Sequence, residues 1–593
     1  MQRKDTVTRL GWTATIAAVS ILYLFGLNEP GLNDGEAMFA QIPREMLLRG
    51  DWITPRLNGT PHFDKPPLIY WLIAITQTVI GKSEFTARLW PALCVIAAVP
   101  VVAAIGRYLY SSRAGWFSGV IFASSLGIFL FGRLAMTDSI VVLLVCLSIF
   151  CYVKGCMETH DLRAAWVCLL FACLGLGALT KGLVGAALPA GVIMVHAVLS
   201  GAWKKMLSWP ILIGPIVALA VAGPWYVAAE TANPGFLDYF FLREHLQRFT
   251  GQRYPADEFV PLHLFLLFTF MWTFPWATVL PAAVSRTARR LSRSGWRTSP
   301  DLLPVVWTVF ILTVFGFSRS RLEYYSLPAV PALALLLGNW WNDFASPDKC
   351  EAIARGARRS LVVSTWLVAA AALAALAILG PFQDLVFRTF SAYWPTVGWE
   401  PGAEQISILE RMRVPAIAAF SSCALAIGCA AWAAGNHRPK AAFSFLAALT
   451  VPLFALVHWG FEAVEPFHST RPVARIVQQH SNPVDVLAYQ EPYEYMWIGG
   501  ITYYTERMVH VLKDPRFENA PAKRREPPER FLDEKDFLQL WHSEQRVVAV
   551  VESGSHWKDL LESSNRGTVV GSLGGRIVAV NENDVQEKEE SRP

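Results

Sequence analysis

Charge is scarce in this chain. Of its 593 residues only 17% are Asp, Glu, Lys or Arg, against about 25% in ordinary globular chains. A string of soluble domains is excluded, because 53% hydrophobic residues and 23 Trp would leave too much apolar surface in water. The charge that is present sits in short loops between long apolar runs, as in a chain that crosses a membrane many times. No basic stripe is found, which excludes a nucleic-acid partner. Cysteine is also sparse: Cys350 lies in a basic loop and the other eight lie in or beside apolar runs. The polar C-terminal part has none, so no disulfide holds it together. Cys151 and Cys156 fit small apolar helix residues better than a metal pair. An internal repeat, a low-complexity array and a convincing signal-cleavage site are lacking as well. The basic start (Arg3, Lys4, Arg9) and the apolar run after it therefore read as an uncleaved first span.

A helical crossing needs roughly 20 apolar residues. The runs 11–27, 86–106, 114–131, 139–153, 164–180, 183–200 and 208–228 qualify, as do 261–284, 302–317, 325–341, 360–380, 412–434 and 440–458. The expectation is a polytopic α-helical membrane protein with about 13 transmembrane helices. Leu68–Ile80, 13 residues between Pro66-Pro67 and Gly81-Lys82, is expected to be interfacial, since runs of about 10–14 seldom span. With the N-terminus cytoplasmic, every basic cluster falls on the inner side: Arg107 and Arg113, Lys154 and Arg163, Lys204 and Lys205, residues 286–297, residues 349–359, and Arg438 with Lys440. Positive charge favours that side. Counting 68–80 as a span would turn all of these clusters outward.

The outer side then receives loops 28–85, 132–138, the turn at Lys181, 229–260, 318–324, 381–411 and everything after His458. Residues 1–460 form the expected membrane domain. Residues 461–593 form an expected outer-face α/β domain, with strands at 484–489, 508–512, 546–551, 568–570 and 576–580 and helices at 532–542 and 556–563. An acidic tail at 587–590 follows.

The unusual polar groups gather in the outer loops. Asn33–Pro67 packs Asp34, Glu36, Arg44, Glu45, Asp51, Arg56, Asp64 and Lys65 into 35 residues. A lone loop carboxylate is usually just solvated, but an acid where the chain meets water can take a proton from an incoming hydroxyl or amine. Asp138, in G-R-L-A-M-T-D-S, either caps a helix or serves chemistry, the default for an acid near the membrane interior. Lys65, beside Asp64 before a Pro-Pro stop, can hold a phosphate as a point charge. In F-F-L-R-E-H-L-Q-R-F-T-G, Arg243, His245 and Arg248 flank aromatics; this suits an interfacial helix that grips an anionic head group, or a plain interface anchor. S-R-S-R-L-E-Y-Y-S-L-P places Arg319, Arg321 and Tyr325 on the same side. Acids to activate an acceptor and cations to steady a leaving phosphate are the inventory for moving a group off a phosphate-bearing lipid.

Seven segments carry a family resemblance: E-A-M-F-A-Q-I-P-R-E-M-L with G-D-W-I-T-P, F-D-K-P-P, G-R-L-A-M-T-D, L-T-K-G, F-F-L-R-E-H-L-Q-R-F and L-E-Y-Y-S-L-P. Over residues 33–328 the chain resembles the GT-C membrane glycosyltransferases of the protein O-mannosyltransferase and aminoarabinose (lipid A) transferase type. The resemblance implies Asp34 as the main catalytic acid/base, with Glu36 nearby, and Asp138 as the second carboxylate. It implies Lys65, Arg248 and Tyr325 as holders of the lipid phosphate, supported by Arg321 and Lys181. Asp64 and His245 match positions that bind a metal in a relative, so a divalent ion such as zinc is implied there, although catalysis requires no cofactor. The chain departs from the family pattern where Gly35 separates Asp34 from Glu36, where Met38 replaces an Arg, and where Asp64 replaces the usual Glu; either Asp34 or Glu36 fits the base.

The expected activity is inverting transfer of a sugar from a polyprenyl (undecaprenyl) phosphate to a glycolipid, glycan or protein acceptor, a lipid A-type glycolipid being favoured. The setting would be the outer face of a bacterial inner membrane, with the C-terminal domain periplasmic or extracellular. The rival is a polyprenyl-lipid flippase or transporter. Mid-span charges would favour the rival, and here the charges sit at one face.

Overall fold

The computed structural model describes residues 2–157, 163–203, 209–253, 259–293, 295–378, 403–492, 495–514, 530–564 and 566–581. The expected inner pair Lys204–Lys205, the outer loop 381–411 up to residue 402, and the tail 587–590 lie outside these residues. The chain divides into two compact units. One comprises residues 1–27, 88–231 and 237–460; the other comprises 28–87, 232–236 and 461–593.

In chain order the helices are α1 (Gln2–Leu24), α2 (Asp34–Arg49), α3 (Leu68–Ile80), α4 (Glu84–Leu109), α5 (Ser112–Ala123), α6 (Leu126–Gly132) and α7 (Asp138–Tyr152). Next come α8 (Arg163–Lys181), α9 (Leu183–Ser200), α10 (Trp209–Ala232), α11 (Leu262–Trp272), α12 (Leu280–Arg293), α13 (Leu302–Phe317) and α14 (Val330–Phe344). The rest are α15 (Pro347–Ile378), α16 (Ala403–Gly435), α17 (Pro439–His468), α18 (Arg471–His480), α19 (Ile498–Thr505), α20 (Glu534–Trp541) and α21 (His556–Ser563).

Each of the thirteen runs expected to cross a membrane is helical over most of its described part. By length and composition, however, seven helices among the described residues can span alone, or up to nine if two bent pairs each count as one. Part of the difference from thirteen has local causes. The apolar part of α1 and all of α13 fall in the shorter class of 10–17 residues. The run 114–131 breaks into α5 and α6 with a 57° bend, and 261–284 breaks into α11 and α12 with a 104° bend. At the second break Pro275 has no N–H to continue the helix, and the carbonyl of Phe274 accepts from the Leu126 amide instead, at 2.9 Å.

Helix α12 carries Arg286, Arg289, Arg290 and Arg293, and two of them close on the C-terminal end of α14. Asp343 accepts from Arg286 at 2.7 Å, Arg290 at 3.3 Å and Lys349 at 2.8 Å, and Arg290 also pairs with Asp301 at 3.1 Å. Arg113 binds the Asn342 carbonyl and the Ser346 hydroxyl nearby. Basic loops far apart in sequence thus meet at one end of the helical unit, as a shared side requires.

The second unit groups the loop 28–87 with the C-terminal residues, whereas that loop was expected to belong to the membrane domain. The reason is visible in its contacts. Helix α19 packs on the start of α2, and no side chain would fit at Gly500, where a Cβ would stand 2.6 Å from Asp34 Oδ1. The turn Asn58-Gly59 offers its amides to the Glu45 carboxylate at 2.7 and 2.9 Å. The Asn58 side chain meanwhile pairs with both backbone groups of Val509. Burial pushes the Glu45 carboxyl up, and these amide bonds oppose it.

Beyond the two-residue strands β1 (Arg56–Leu57) and β2 (Thr60–Pro61), the strands are β3 (Val486–Gln490), β4 (His510–Leu512), β5 (Phe531–Leu532), β6 (Val547–Glu552), β7 (Thr568–Leu573) and β8 (Arg576–Val580). The last six form one sheet in the order β5-β4-β3-β6-β8-β7. It is parallel from β5 to β6 and antiparallel beyond. Trp541, Trp557 and Phe537 fill its core with Val547, Ala549 and Val551. Strand β5 and helices α18 and α19 were not foreseen.

Asp343 is 5% exposed while its three cations are partly solvated. Asp343→Ala is expected to destabilise the detergent-solubilised protein by about 2 kcal/mol, read as a lower thermal midpoint. Arg289→Ala, on the exposed face of the same helix, is expected to leave that midpoint unchanged.

Candidate active site

The start of α2 shows why an acid stands there. Asn33 caps the helix: its side chain accepts from the Glu36 amide at 2.8 Å, and the Glu36 carboxylate accepts from the Asn33 amide at 3.2 Å. This capping box stabilises the helix start by about 1 kcal/mol. Glu36, 1% exposed, is thereby occupied with helix initiation. Asp34 opens the first turn, where the helix dipole favours a negative charge. Its Oδ2 accepts from Arg576 Nη2 at 2.6 Å, and its Oδ1 accepts from the Thr470 hydroxyl. Arg576 Nη1 reaches the same hydroxyl at 3.3 Å. Lys65 donates to the Asp64 carbonyl at 3.2 Å, and the Asp64 carboxylate stands 3.7 Å from His62 Nε2.

The helical unit holds a second cluster. Asp138 begins α7 and Lys181 ends α8, and they pair at 2.6 Å with Asp138 5% exposed. The Lys181 ammonium also lies 4.9 Å from the centre of the Tyr325 ring and 5.6 Å from that of Tyr324. Arg248 and Arg253 both pair with the buried Glu244, at 3.5 and 3.0 Å. Three residues expected to act together, Asp138, Lys181 and Tyr325, are therefore neighbours. They stand at the opposite end of α14 from Asp343.

Two sequence expectations are changed by hydrogen bonding. Arg321, expected to support phosphate binding, is 5% exposed and turned to backbone. It donates to the carbonyls of Val260 at 2.7 Å and Phe315 at 3.3 Å, and also to those of Gly316 and Ser318. The last carbonyls of a helix lack partners within it, and Arg321 supplies them for α13. His245 was expected to bind a metal with Asp64, but both of its ring nitrogens are engaged by backbone. Its Nε2 accepts from the Leu183 amide at 3.1 Å and its Nδ1 bonds the Phe240 carbonyl at 2.8 Å. One nitrogen accepts and the other donates, so no lone pair is left for an ion. Among the described residues no group of three or more His, Cys, Asp or Glu could hold a metal.

What His245 holds is the bend after Lys181. Gly182 has φ +63°, and a Cβ there would fall 2.3 Å from His245 Nε2, so this position requires glycine. Thr470, Arg576 and Tyr324 were missed from sequence. Tyr324 adjoins Tyr325, but Arg576 lies 542 residues from its partner and carries no local signal.

The family model for dolichyl-phosphate-mannose-protein mannosyltransferases matches residues 17–240. An undecaprenyl phosphate-alpha-4-amino-4-deoxy-L-arabinose arabinosyl transferase of Pectobacterium carotovorum is 30% identical over 384 residues, 63% of this chain and 66% of that protein. One from Pseudomonas fluorescens is 31% identical over 348 residues, 57% of this chain and 61% of the relative. The matched segment thus spans somewhat less than two thirds of these relatives. The crystal structure of ArnT from Cupriavidus metallidurans bound to undecaprenyl phosphate superposes with a TM-score of 0.79, covering 97% of this chain and 98% of ArnT at 23% identity. The chain is thus similar to these mannosyl- and arabinosyltransferases over part of its length. It is a multi-pass membrane protein with the ArnT fold.

His245→Ala is expected to lower activity about tenfold or more by freeing the Lys181 turn, while chelation of the wild type leaves activity unchanged. Elemental analysis provides the check. A stoichiometric metal carried by the wild type and lost in His245→Ala would overturn the assignment.

Proposed function

We propose that the chain transfers a pentose, 4-amino-4-deoxyarabinose or a close relative, from undecaprenyl phosphate to a lipid A-type glycolipid. The observation that carries this reading is the span of the family match. Residues 17–240 contain Asp34, Lys65, Asp138 and Lys181, and the similar curated proteins at 30–31% identity are named for that arabinosyl donor. The reaction would take place at the outer face of a bacterial inner membrane. The N-terminus and the basic end around Asp343 would then face the cytoplasm.

The chemistry is a single displacement. An acceptor oxygen bonds to the anomeric carbon as the bond from that carbon to the phosphate oxygen breaks, which inverts the centre. The acceptor's proton passes to a carboxylate and the electron pair leaves with the phosphate. We assign the proton to Asp34, because the capping box occupies Glu36. We assign the phosphate to Lys65, Arg248 and the Tyr325 hydroxyl. Lys181, paired with Asp138, supports that group by fixing the second carboxylate beside Tyr325. Arg321 is left out, and no step passes through a metal.

With purified protein, undecaprenyl phosphate-linked 4-amino-4-deoxyarabinose and lipid A, mass spectrometry is expected to show transfer of one pentose. Asp34→Asn is expected to lower the rate by about 10³-fold while thermal stability stays within a few degrees. Wild-type-like transfer by that variant would remove Asp34 from the role.

A further inference from the structure

We propose that Arg576 and Thr470 are positioning residues for Asp34, a two-sided clamp through which the C-terminal sequence holds the carboxylate in its working orientation. This rests on the reading that Asp34 takes the acceptor's proton.

The geometry has the features of a clamp. Each Asp34 oxygen meets a different donor, Arg576 on Oδ2 and Thr470 on Oδ1. The third side is closed by the Arg576–Thr470 bond. Both torsions of the Asp34 side chain are thereby fixed. A carboxylate offers about four lone-pair sites; the clamp uses one on each oxygen and leaves one on each for an acceptor hydrogen.

Two further observations argue against incidental packing. Thr470 immediately precedes α18, where a threonine ordinarily caps its own helix. Its side chain makes no capping bond and turns to Asp34 instead. The intrinsic preference of the residue is set aside for this contact. Arg576 is a largely buried guanidinium, which costs free energy unless it is paired. It opens β8 after the turn Gly574-Gly575, and its cation lies 5.9 Å from the centre of the Tyr489 ring. Although burial opposes its charge, the Asp34 and Glu552 carboxylates keep the guanidinium protonated. Burial pushes the Tyr489 hydroxyl up to about 12, so the ring stays neutral.

The closest approach is kept clear by Gly500, where a Cβ would lie 2.1 Å from Thr470 Oγ1. Any side chain there would push the hydroxyl off the carboxylate.

The test is kinetic and thermodynamic, on the full chain in detergent or nanodiscs. Arg576→Met and Thr470→Val are each expected to lower kcat about 10- to 100-fold with KM for the undecaprenyl-phosphate sugar within about twofold. Arg576→Lys is expected to recover at least part of the loss, because an ammonium can still reach Oδ2. A rise in KM with kcat unchanged, or Arg576→Lys as impaired as Arg576→Met, would overturn the positioning role. A thermal-stability cycle over Asp34→Asn and Arg576→Met works without turnover. The double variant is expected to be about as stable as the weaker single variant, and strictly additive losses would overturn the clamp. If the wild type consumes no such donor while the cycle shows coupling, the proposed reaction fails and the pairing stands.

Discussion

A charge withdrawn from water must meet a partner, and in a chain with so little charge the partners are brought from far along the sequence. Asp343 gathers Arg286, Arg290 and Lys349 at one end of the helical unit. Asp138 takes Lys181 at the other end. In the second unit Arg471 collects Glu29, Glu84 and Glu465, and Asp34 takes Arg576. A buried ion left without its partner costs several kcal/mol, more than most single contacts contribute. These pairs therefore decide which helix ends and which loops can stand together. Residue 28–87 packing with residues beyond 460 follows the same rule: Arg471 bonds Glu84, and the Tyr504 hydroxyl bonds the same carboxylate.

Apolar periodicity and length exposed the helical runs, because a span must satisfy its own backbone and so writes its signal locally. The bends were harder to read. Pro275 is visible in the sequence, but a proline inside a helix is compatible with a kink or with a full turn of direction. The choice was made by the carbonyl of Phe274 meeting the Leu126 amide. Likewise Leu68–Ile80 was legible as a short apolar helix, and in the second unit its Gln77 bonds the Ala40 carbonyl. In the sheet, the alternating strands β3, β6 and β8 were readable. The two-residue β5 has no periodicity to read, and it exists because β4 offers it an edge.

The candidate site divides along the same line. Asp138 and Lys181 were singled out from sequence and are found paired. Glu36, Arg321 and His245 were singled out as well, and each is occupied with backbone groups. Glu36 serves a helix start, Arg321 a helix end and His245 a bend. These are the positions where main-chain donors and acceptors lack partners of their own. A polar side chain in an otherwise apolar stretch has two explanations, chemistry or backbone satisfaction, and composition alone does not separate them. The hydrogen-bond partners do. By that criterion Asp34 differs from Glu36: it bonds two side chains, Arg576 and Thr470, while its neighbour closes a capping box with the backbone.

Strand register carries this distinction into the C-terminal sequence. Strand β8 pairs antiparallel with β6, with Arg576 opposite Glu552 and Ile577 opposite Val551. Ile577 and Ala579 face the core with Trp541 and Trp557, so Arg576 and Val578 belong to the other face. A slip of one residue would exchange the faces, turning the guanidinium into the core and an isoleucine toward Asp34. The apolar core of this small sheet thus fixes more than its own stability. By locking the register of β8 it fixes the position of one cation, and with it the orientation of a carboxylate that begins a helix more than five hundred residues earlier.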